Sequence, residues 1–227
     1  MKISEIANNF QKIERQKEQT KALLTEISEN FEFALVAGGA PRNWAYNRPA
    51  NDIDIYVLRK IPLIKGRYSV KKDSSAQEEI DKNIAKAVLQ LSEKYGFSQN
   101  RACTTINSNA YGGLILNSLY DFKIGDQDCQ FIIVDDNMWW QDIQVKDLES
   151  FANRIFATYD FGICKTAMDK DGSIIKHPDF ISDFENNTFT CNIKELRRNN
   201  TSGMKKLVER FEKMEKYFPN HKMRISC

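Results

Sequence analysis

The sequence predicts an α+β fold with a mixed, mostly antiparallel sheet flanked by helices. Two observations favour this class. Short apolar runs typical of strands are interspersed with longer segments of helical periodicity, but without the regular strand–helix–strand order of a parallel α/β protein. In addition, Gly125-Asp126-Gln127-Asp128 joins two strand-like runs and is typical of a hairpin.

The first third of the chain contains one long helix and two strands. Residues 3–29 have apolar side chains at helical spacing at both ends and a wholly polar middle, which predicts a helix on the surface. Residues 33–37 and 53–58 are predicted strands. Pro49 lies between them and suits a loop.

The remaining elements follow from caps, turns and periodicity. Ser75 and Glu78 have the spacing of a capping box, and the helix that they begin is expected to stop at Gly96. A last amphipathic helix ends before Pro219. Between these helices we predict strands at 113–116, 119–124, 129–134 and 159–168, and a helix at 145–155.

Composition limits the classes of protein that the chain can represent. Of its 227 residues, 41% are hydrophobic and 28% charged, as in an ordinary globular protein of one large domain or a domain with a small appendage. The net charge of +2 implies no strong general attraction to nucleic acid. Any contact with a polyanion must therefore be local.

The cysteines and the hydropathy pattern predict a cytoplasmic protein that does not enter a membrane. The five cysteines are scattered and never in C-x-x-C spacing, and only two histidines are present. This pattern favours reduced thiols over a zinc site or a disulfide framework. The sequence shows neither the apolar core of a signal peptide nor an apolar run long enough to span a bilayer.

The segment from Leu35 to Leu58 contains the residues that indicate chemistry. An apolar run leads to Gly38-Gly39, Arg42 follows, and Asp52-Ile53-Asp54 opens a second apolar run. Glycine amides can approach phosphates closely because no side chain intervenes. Asp52 and Asp54 alternate along a strand and therefore point to the same face, where two carboxylates can bind Mg²⁺ ions.

This segment resembles the nucleotidyltransferase superfamily that includes DNA polymerase β, the CCA-adding enzymes and the poly(A) polymerases. Members have a Gly-Gly or Gly-Ser turn after the first strand and an Asp-x-Asp pair on the next. Gly38-Gly39 and Asp52/Asp54 match these positions, and Arg42 stands where the CCA-adding branch has an arginine. The match is local, since it covers residues 35–58 of 227.

The resemblance implies a polymerase-β-type core, a division of the chain and a set of ligands. The core would occupy residues 31–168, after an N-terminal helix at 1–30 and before a C-terminal helical appendage at 169–227. Two Mg²⁺ ions, with Mn²⁺ as the substitute, would bind to Asp52, Asp54 and a third carboxylate. The backbone of Gly38 and Gly39 and the guanidinium of Arg42 would hold the triphosphate of a nucleoside triphosphate (NTP).

The third carboxylate does not stand where the superfamily pattern places it. The residue inside the expected strand is Gln130, and an amide is a poorer metal ligand than a carboxylate and cannot act as a base. Asp160, predicted inside the strand at 159–168, is the preferred replacement, and Asp128 at the hairpin turn is the alternative. A second departure is Asn43 after Arg42, where the CCA-like branch usually has aspartate.

The main functional hypothesis is a metal-dependent nucleotidyltransferase that moves a nucleoside monophosphate to an acceptor hydroxyl and releases pyrophosphate. A tRNA-like RNA end is the favoured acceptor, and a protein or small molecule is the alternative. Small viral, phage and toxin-type transferases fit the length of the chain. Two rival hypotheses remain: a catalytically silent module that binds nucleotide or RNA, and a structural protein that binds no nucleotide.

Overall fold

A computed structural model describes residues 3–60, 63–65, 70–99, 116–136, 145–192 and 201–226. Within these ranges the chain forms six α-helices and eleven strands. The helices are α1 (Ile3–Ser28), α2 (Gly39–Ala45), α3 (Ser74–Tyr95), α4 (Leu148–Phe156), α5 (Pro178–Asn186) and α6 (Thr201–Tyr217). None of them is both long enough and apolar enough to cross a membrane.

The strands are β1 (Ala34–Ala37), β2 (Asp52–Arg59), β3 (Leu63–Lys65), β4 (Val70–Lys72), β5 (Ser98–Gln99), β6 (Leu116–Ile124), β7 (Gln127–Asp135), β8 (Thr166–Met168), β9 (Ile174–Lys176), β10 (Thr188–Asn192) and β11 (Lys222–Ser226). The hairpin between β6 and β7 is confirmed. The strand predicted at 113–116 lies outside the described residues except for Leu116.

The main sheet has seven strands in the order β5-β6-β7-β2-β1-β8-β9. β2 and β7 are parallel, whereas every other neighbouring pair in this sheet is antiparallel. The prediction of a mixed, mostly antiparallel sheet with helices is therefore confirmed. The parallel pair at its centre sets side chains of β2 beside side chains of β7 over the full length of both strands.

Helices cover both faces of this sheet. On one face, Ile53, Ile55 and Phe131 pack in a core that includes residues of α1 and α3. On the other face, Leu35 and Ile132 pack in a second core that includes α4. Alternation along β2 sends its isoleucines to the first core, so that Asp52 and Asp54 point to the same side of the sheet as the second core.

The C-terminal part of the chain has a hydrophobic cluster of its own. β10 and β11 form a parallel two-stranded sheet, and α6 contributes Leu207 and Met214 to the cluster around Phe189. The main sheet includes β9, which lies after residue 168, the predicted end of the core. The division of the chain into three segments stays a prediction.

The predicted start of α3 differs from the structure, whereas its predicted end is confirmed. α3 begins after Asp73, whose carboxylate accepts a hydrogen bond from the amide of Ala76, so the capping box predicted at Ser75 is wrong. Asp73 is the N-cap because it immediately precedes the first helical residue, Ser74, and its carboxylate reaches a free amide of the first turn. The stop at Gly96 is confirmed: this residue adopts a left-handed conformation with φ of 66°.

The sequence predicts that the polar middle of α1 lies on the surface, but one of its residues is buried. Gln16 is only 3% exposed. Its Oε1 accepts hydrogen bonds from the indole of Trp44 at 3.1 Å and from the amide of Ala50 at 2.9 Å, and its Nε2 donates to the carbonyl of Ala50 at 2.9 Å. Gln16 therefore connects α1 to α2 and to the loop that leads into Asp52.

Replacement of Gln16 with alanine is expected to lower the free energy of unfolding by about 3 kcal/mol, because the Trp44 indole and both polar groups of Ala50 would lose their buried partner. Urea denaturation measures this change. Gln11→Ala is the control, since Gln11 is exposed on the same helix. Equal unfolding midpoints for the two variants would contradict this role of Gln16.

Candidate functional site

The turn between β1 and α2 brings backbone to the edge of a cleft. Gly38 has φ of 83° and ψ of −117°, a conformation that side chains disfavour. Its amide donates to the carbonyl of Thr166 at 2.9 Å, so it is not available to a phosphate. The amide of Gly39 has no acceptor within the helix, because it lies in the first turn.

Tyr159 explains why residue 38 must lack a side chain. A Cβ on Gly38 would lie 2.8 Å from the Tyr159 hydroxyl oxygen. That hydroxyl donates to the Tyr56 hydroxyl at 3.4 Å, and burial raises the pKa of Tyr159. At Gly39, in contrast, a Cβ would lie 3.8 Å from Asp52 Oδ1, an ordinary contact distance. Gly38 therefore shapes the turn, whereas Gly39 borders the carboxylates.

Asp52 and Asp54 both line the cleft from β2. Asp52 is exposed at the beginning of the strand, and Asp54 is half-buried. Burial and the negative charge of Asp52 raise the pKa of Asp54 to about 7, against an opposing effect of the positive charge of Lys213. A cation between the two carboxylates would therefore favour their ionised form.

The parallel register shows what stands beside these carboxylates. Gln130 pairs with Asp54 and Asp128 pairs with Asp52 across β2 and β7. The side-chain amide of Gln130 donates to Asp121 Oδ1 at 2.9 Å, and the carboxylate of Asp128 lies 2.9 Å from Lys123 Nζ in an exposed ion pair. The strand position next to Asp54 is thus filled by an amide held by β6.

Asp160 lies in a loop, so the prediction of a strand at 159–168 is wrong for most of that range. The chain forms a 3-10 turn at Gly162–Cys164, and only Thr166–Met168 is a strand. Gly162 passes so close to α5 that a Cβ would lie 2.7 Å from Asp183 Oδ2. This approach bends the chain away from the sheet. Asp160 lines the cleft and forms an ion pair with Arg210 of α6.

Arg42 reaches the cleft from α2. Its Nε and Nη2 donate to Asn43 Oδ1 at 3.1 and 3.0 Å, and its Nη1 lies 3.2 Å from Cys164 Sγ and 3.1 Å from Met214 Sδ. Asn43 thus orients the guanidinium, a role that its amide performs without adding charge. Within the described ranges, Arg42 forms no ion pair with a carboxylate.

The opposite wall of the cleft comes from α6, which the sequence analysis did not connect to the site. Arg210, Lys213, Met214 and Tyr217 line the cleft from this helix. Two cations therefore face two carboxylates across a cavity of about 310 Å³. The sequence signal was present: Arg210, Lys213 and Tyr217 recur at i, i+3 and i+7 on one helical face.

The structure brings the six predicted site residues into this one cleft; they are Gly38, Gly39, Arg42, Asp52, Asp54 and Asp160. The three aspartates of the cleft are nevertheless not close enough to share one metal ion: among the described residues, no group of three or more His, Cys, Asp or Glu side chains could hold one. Trp44 is 4% exposed and packs in the core.

Removal of the Asp54 charge is expected to stabilise the metal-free protein in a pH-dependent manner. Asp54 ionises near pH 7 when folded but has an ordinary pKa of 3.8, so between these values the folded state holds a proton that the unfolded state has lost. Stability from this group therefore falls as the pH rises from 4 to 7, and then stays low. In EDTA, Asp54→Asn should melt above the wild type at pH 8, and by a smaller margin at pH 5.

Asp128→Asn is the matched control for this experiment. Asp128 lies on the neighbouring strand at the same edge of the sheet, but its carboxylate is exposed and paired with Lys123. Its replacement should give no melting difference that grows between pH 5 and pH 8. Identical melting of Asp54→Asn and the wild type at pH 8 would contradict the half-buried, charge-repelled state of Asp54.

Comparison with solved structures gives weak likenesses to tRNA nucleotidyltransferases. A tRNA nucleotidyltransferase complexed with a primer tRNA and an incoming ATP analogue is 14% identical, with a TM-score of 0.36 over 69% of this chain and 34% of that one. A CCA-adding enzyme with CTP is 14% identical, with a TM-score of 0.37 over 70% and 29%. A tRNA-processing enzyme in its apo form is 15% identical, with a TM-score of 0.36 over 70% and 31%.

This chain thus spans about a third of the length of the chains that it resembles. No curated protein matches it. The sequence profile of a family described as Gad2, the Gabija anti-defense 2 family, matches residues 6–187. That match extends from the second turn of α1 to the end of α5, and so includes Gly38, Gly39, Arg42 and the three aspartates of the cleft. The chain therefore belongs to the Gabija anti-defense 2 family.

Proposed function

We propose that this protein is a metal-dependent nucleotidyltransferase with a polymerase-β-type core. It transfers a nucleoside monophosphate from an NTP to an acceptor hydroxyl, with an RNA end as the favoured acceptor. One observation carries the proposal: a single cleft has the Gly39 amide, Arg42 and the Asp52/Asp54 pair on one side and the cations of α6 on the other.

The donor set fits a hard divalent cation. Asp52 and Asp54 offer carboxylate oxygens from one face of one strand, and burial together with the negative charge of Asp52 raises the pKa of Asp54 despite the positive charge of Lys213. Mg²⁺ commonly binds to one or two carboxylates and completes its shell with water and substrate phosphates. Mn²⁺ has the same preference for oxygen ligands. The bound ions would offset charge on the attacking and leaving oxygens.

The triphosphate would lie between the two walls of the cleft. Arg42, held by Asn43, presents a guanidinium suited to bidentate phosphate contact, and the amide of Gly39, in the first turn of α2, would donate to a phosphate. Lys213 faces this position from α6. Without a metal ion, these cations are balanced by Asp52 and Asp54, so binding of the highly charged triphosphate should depend on the ion.

In the proposed reaction the acceptor hydroxyl oxygen forms a bond to the α-phosphorus. The bond from that phosphorus to the oxygen that bridges it to the β-phosphate breaks, and pyrophosphate leaves with that oxygen. A carboxylate of Asp52 or Asp54 is positioned to take the hydroxyl proton. Arg42 and Lys213 hold the phosphates so that attack and departure lie in line.

Asp160 can serve as the third carboxylate only if it exchanges partners. Its carboxylate is paired with Arg210, which lines the same cleft. A bound triphosphate would compete for Arg210 and leave Asp160 free to approach the ion. The exchange needs rotation of side chains at the mouth of the cleft.

Two observations favour a catalytically silent nucleotide- or RNA-binding module as the second candidate. Gln130 stands next to Asp54 where an additional carboxylate would complete the site, and Asp160 is held by Arg210. Such a module would bind NTP in this cleft without turnover. The family name ascribes an anti-defense role to its members, and under either candidate we assign that role to the cleft.

Pyrophosphate release separates these candidates. The assay contains each NTP, Mg²⁺ and total cellular RNA, and compares the wild type with Asp54→Asn. A transferase gives release with the wild type and at least a hundredfold less with the variant, in keeping with the loss of a group that acts in the transition state. Nucleotide binding without release by the wild type would select the silent module. Neither binding nor release would contradict both.

Alanine substitutions at Gly38 and Gly39 should distinguish a glycine that the turn conformation requires from one whose amide contacts the phosphates. Gly38→Ala is expected to cost about 2 kcal/mol or more of stability, because φ is positive and the Cβ meets Tyr159. Gly39→Ala should melt like the wild type, yet bind Mg·ATP about tenfold more weakly, since the methyl group stands between the amide and the phosphates. Melting curves and calorimetry measure both effects. Unchanged affinity in Gly39→Ala would exclude a phosphate contact at this amide.

A further inference from the structure

A second cleft, of about 490 Å³, lies on α1 beside the turn between β6 and β7. Its helical side is a polar stripe in which residues recur at i, i+3, i+4, i+7 and i+11 and therefore share one face of the helix. The members of the stripe are Asn8, Gln11, Lys12, Arg15 and Gln19. This stripe flanks the apolar face that packs on the sheet.

The second cleft adjoins the first cleft, which Asp52 and Asp54 line. Gln127 lines the second cleft, and its Nε2 donates to the carbonyl of Asn51 at 2.6 Å. Asn51 lines the first cleft and immediately precedes Asp52. The two clefts therefore meet at the Asn51–Gln127 hydrogen bond. Gln16 contacts the side chain of Gln127 at the base of the second cleft and fixes its position.

Positive charge in the second cleft is not neutralised by the helix that carries it. On α1, Lys17 lies 2.9 Å from Glu14 and Lys21 lies 3.3 Å from Glu18. Lys12 and Arg15, in contrast, take part in no ion pair among the residues that the structure describes, and both are exposed. Among the described residues that line this cleft, the one carboxylate belongs to Asp126 in the turn, so this part of the lining has a surplus of positive charge.

The chemistry of the lining suits a single-stranded polynucleotide. Arginine and lysine bind phosphates, and side-chain amides of asparagine and glutamine bind the edges of bases. Ile124 is the single apolar residue of the lining within the described ranges, which therefore offer little of the apolar centre on which protein partners depend. The small net charge of the whole chain makes such a local concentration of cations the feature that a polyanion would meet.

We infer that this second cleft binds the 3′ region of an RNA acceptor and directs its terminal hydroxyl past Asn51 to the carboxylates. Lys12 and Arg15 contact successive phosphates, and the amides of the stripe contact base edges. This inference rests on the proposed nucleotidyl transfer and names its acceptor class and docking site. Two phosphate-binding cations in a cleft separate from that of the carboxylates favour a polynucleotide acceptor over a protein or a small molecule.

The test uses the full chain and a fluorescently labelled single-stranded RNA of mixed sequence, with binding measured by anisotropy at several salt concentrations. Lys12→Gln/Arg15→Gln should weaken RNA binding about tenfold and reduce the magnitude of the salt slope by about 1.4, or roughly 0.7 for each phosphate contact. The matched control is Lys17→Gln/Lys21→Gln, which removes the same charge from the same helix at residues already paired. It should leave both quantities unchanged.

Calorimetry with Mg·ATP on the same proteins separates this inference from the proposed function. The expected result is unchanged nucleotide affinity in both double variants. Nucleotide binding together with RNA binding that is insensitive to Lys12→Gln/Arg15→Gln would overturn the second cleft as the acceptor site and leave the transferase proposal intact. Transfer of labelled nucleotide to a protein instead of RNA would overturn the acceptor class. If the wild type does not bind nucleotide, the transferase proposal itself is contradicted.

Discussion

The burial of the Asp54 carboxylate beside the negative charge of Asp52 is the constraint on which the rest of the site depends. Alternation along β2 directs both carboxylates to one face, and the buried parallel pairing with β7 leaves Asp54 little access to water. Nearby positive charge offsets the negative charge of the two carboxylates only in part. Lys213 faces the pair from α6, but the pKa of Asp54 still rises to about 7. The proposed metal ion would relieve this strain by binding between the two carboxylates.

The features that the sequence predicted well are local ones. Asp52, Asp54, Gly39 and Arg42 lie within a short segment, so strand alternation and a single turn are enough to bring them together. Gly96 ends α3 and Gly125-Asp126 closes a hairpin for the same reason, since each depends on a few adjacent residues. Local backbone preference and the tertiary structure agree at these positions.

The features that were missed depend on packing between distant parts of the chain. Gly162 could not be recognised as a bend, because the contact with Asp183 that requires it comes from α5. Arg210 is fifty residues from Asp160 in the sequence, and packing of α6 in the C-terminal hydrophobic cluster helps to bring it to the cleft. Gln16 looked like one polar residue among many, since its burial depends on Trp44 and Ala50. Helical periodicity described these helices correctly but did not indicate which partners they pack against.

The two clefts give the protein a directional arrangement around one loop. Gln16 binds the backbone of Ala50 in the loop that ends at Asp52, and Gln127 of the second cleft binds the carbonyl of Asn51, which lines the first cleft. Helix α6 forms one wall of the first cleft, and helix α1 forms one wall of the second cleft. The central sheet thus supplies the carboxylates, and the two ends of the chain supply the cations that would hold the substrates on either side.

Binding of a non-hydrolysable ATP analogue, measured by calorimetry in Mg²⁺ and in EDTA, tests the central claim most directly. If Asp52 and Asp54 hold a metal-bound triphosphate, the wild type binds the analogue in Mg²⁺ and loses that binding in EDTA, and Asp54→Asn binds it weakly in either condition. Equal affinity in Mg²⁺ and EDTA, or an Asp54→Asn variant that binds as tightly as the wild type, would contradict the account.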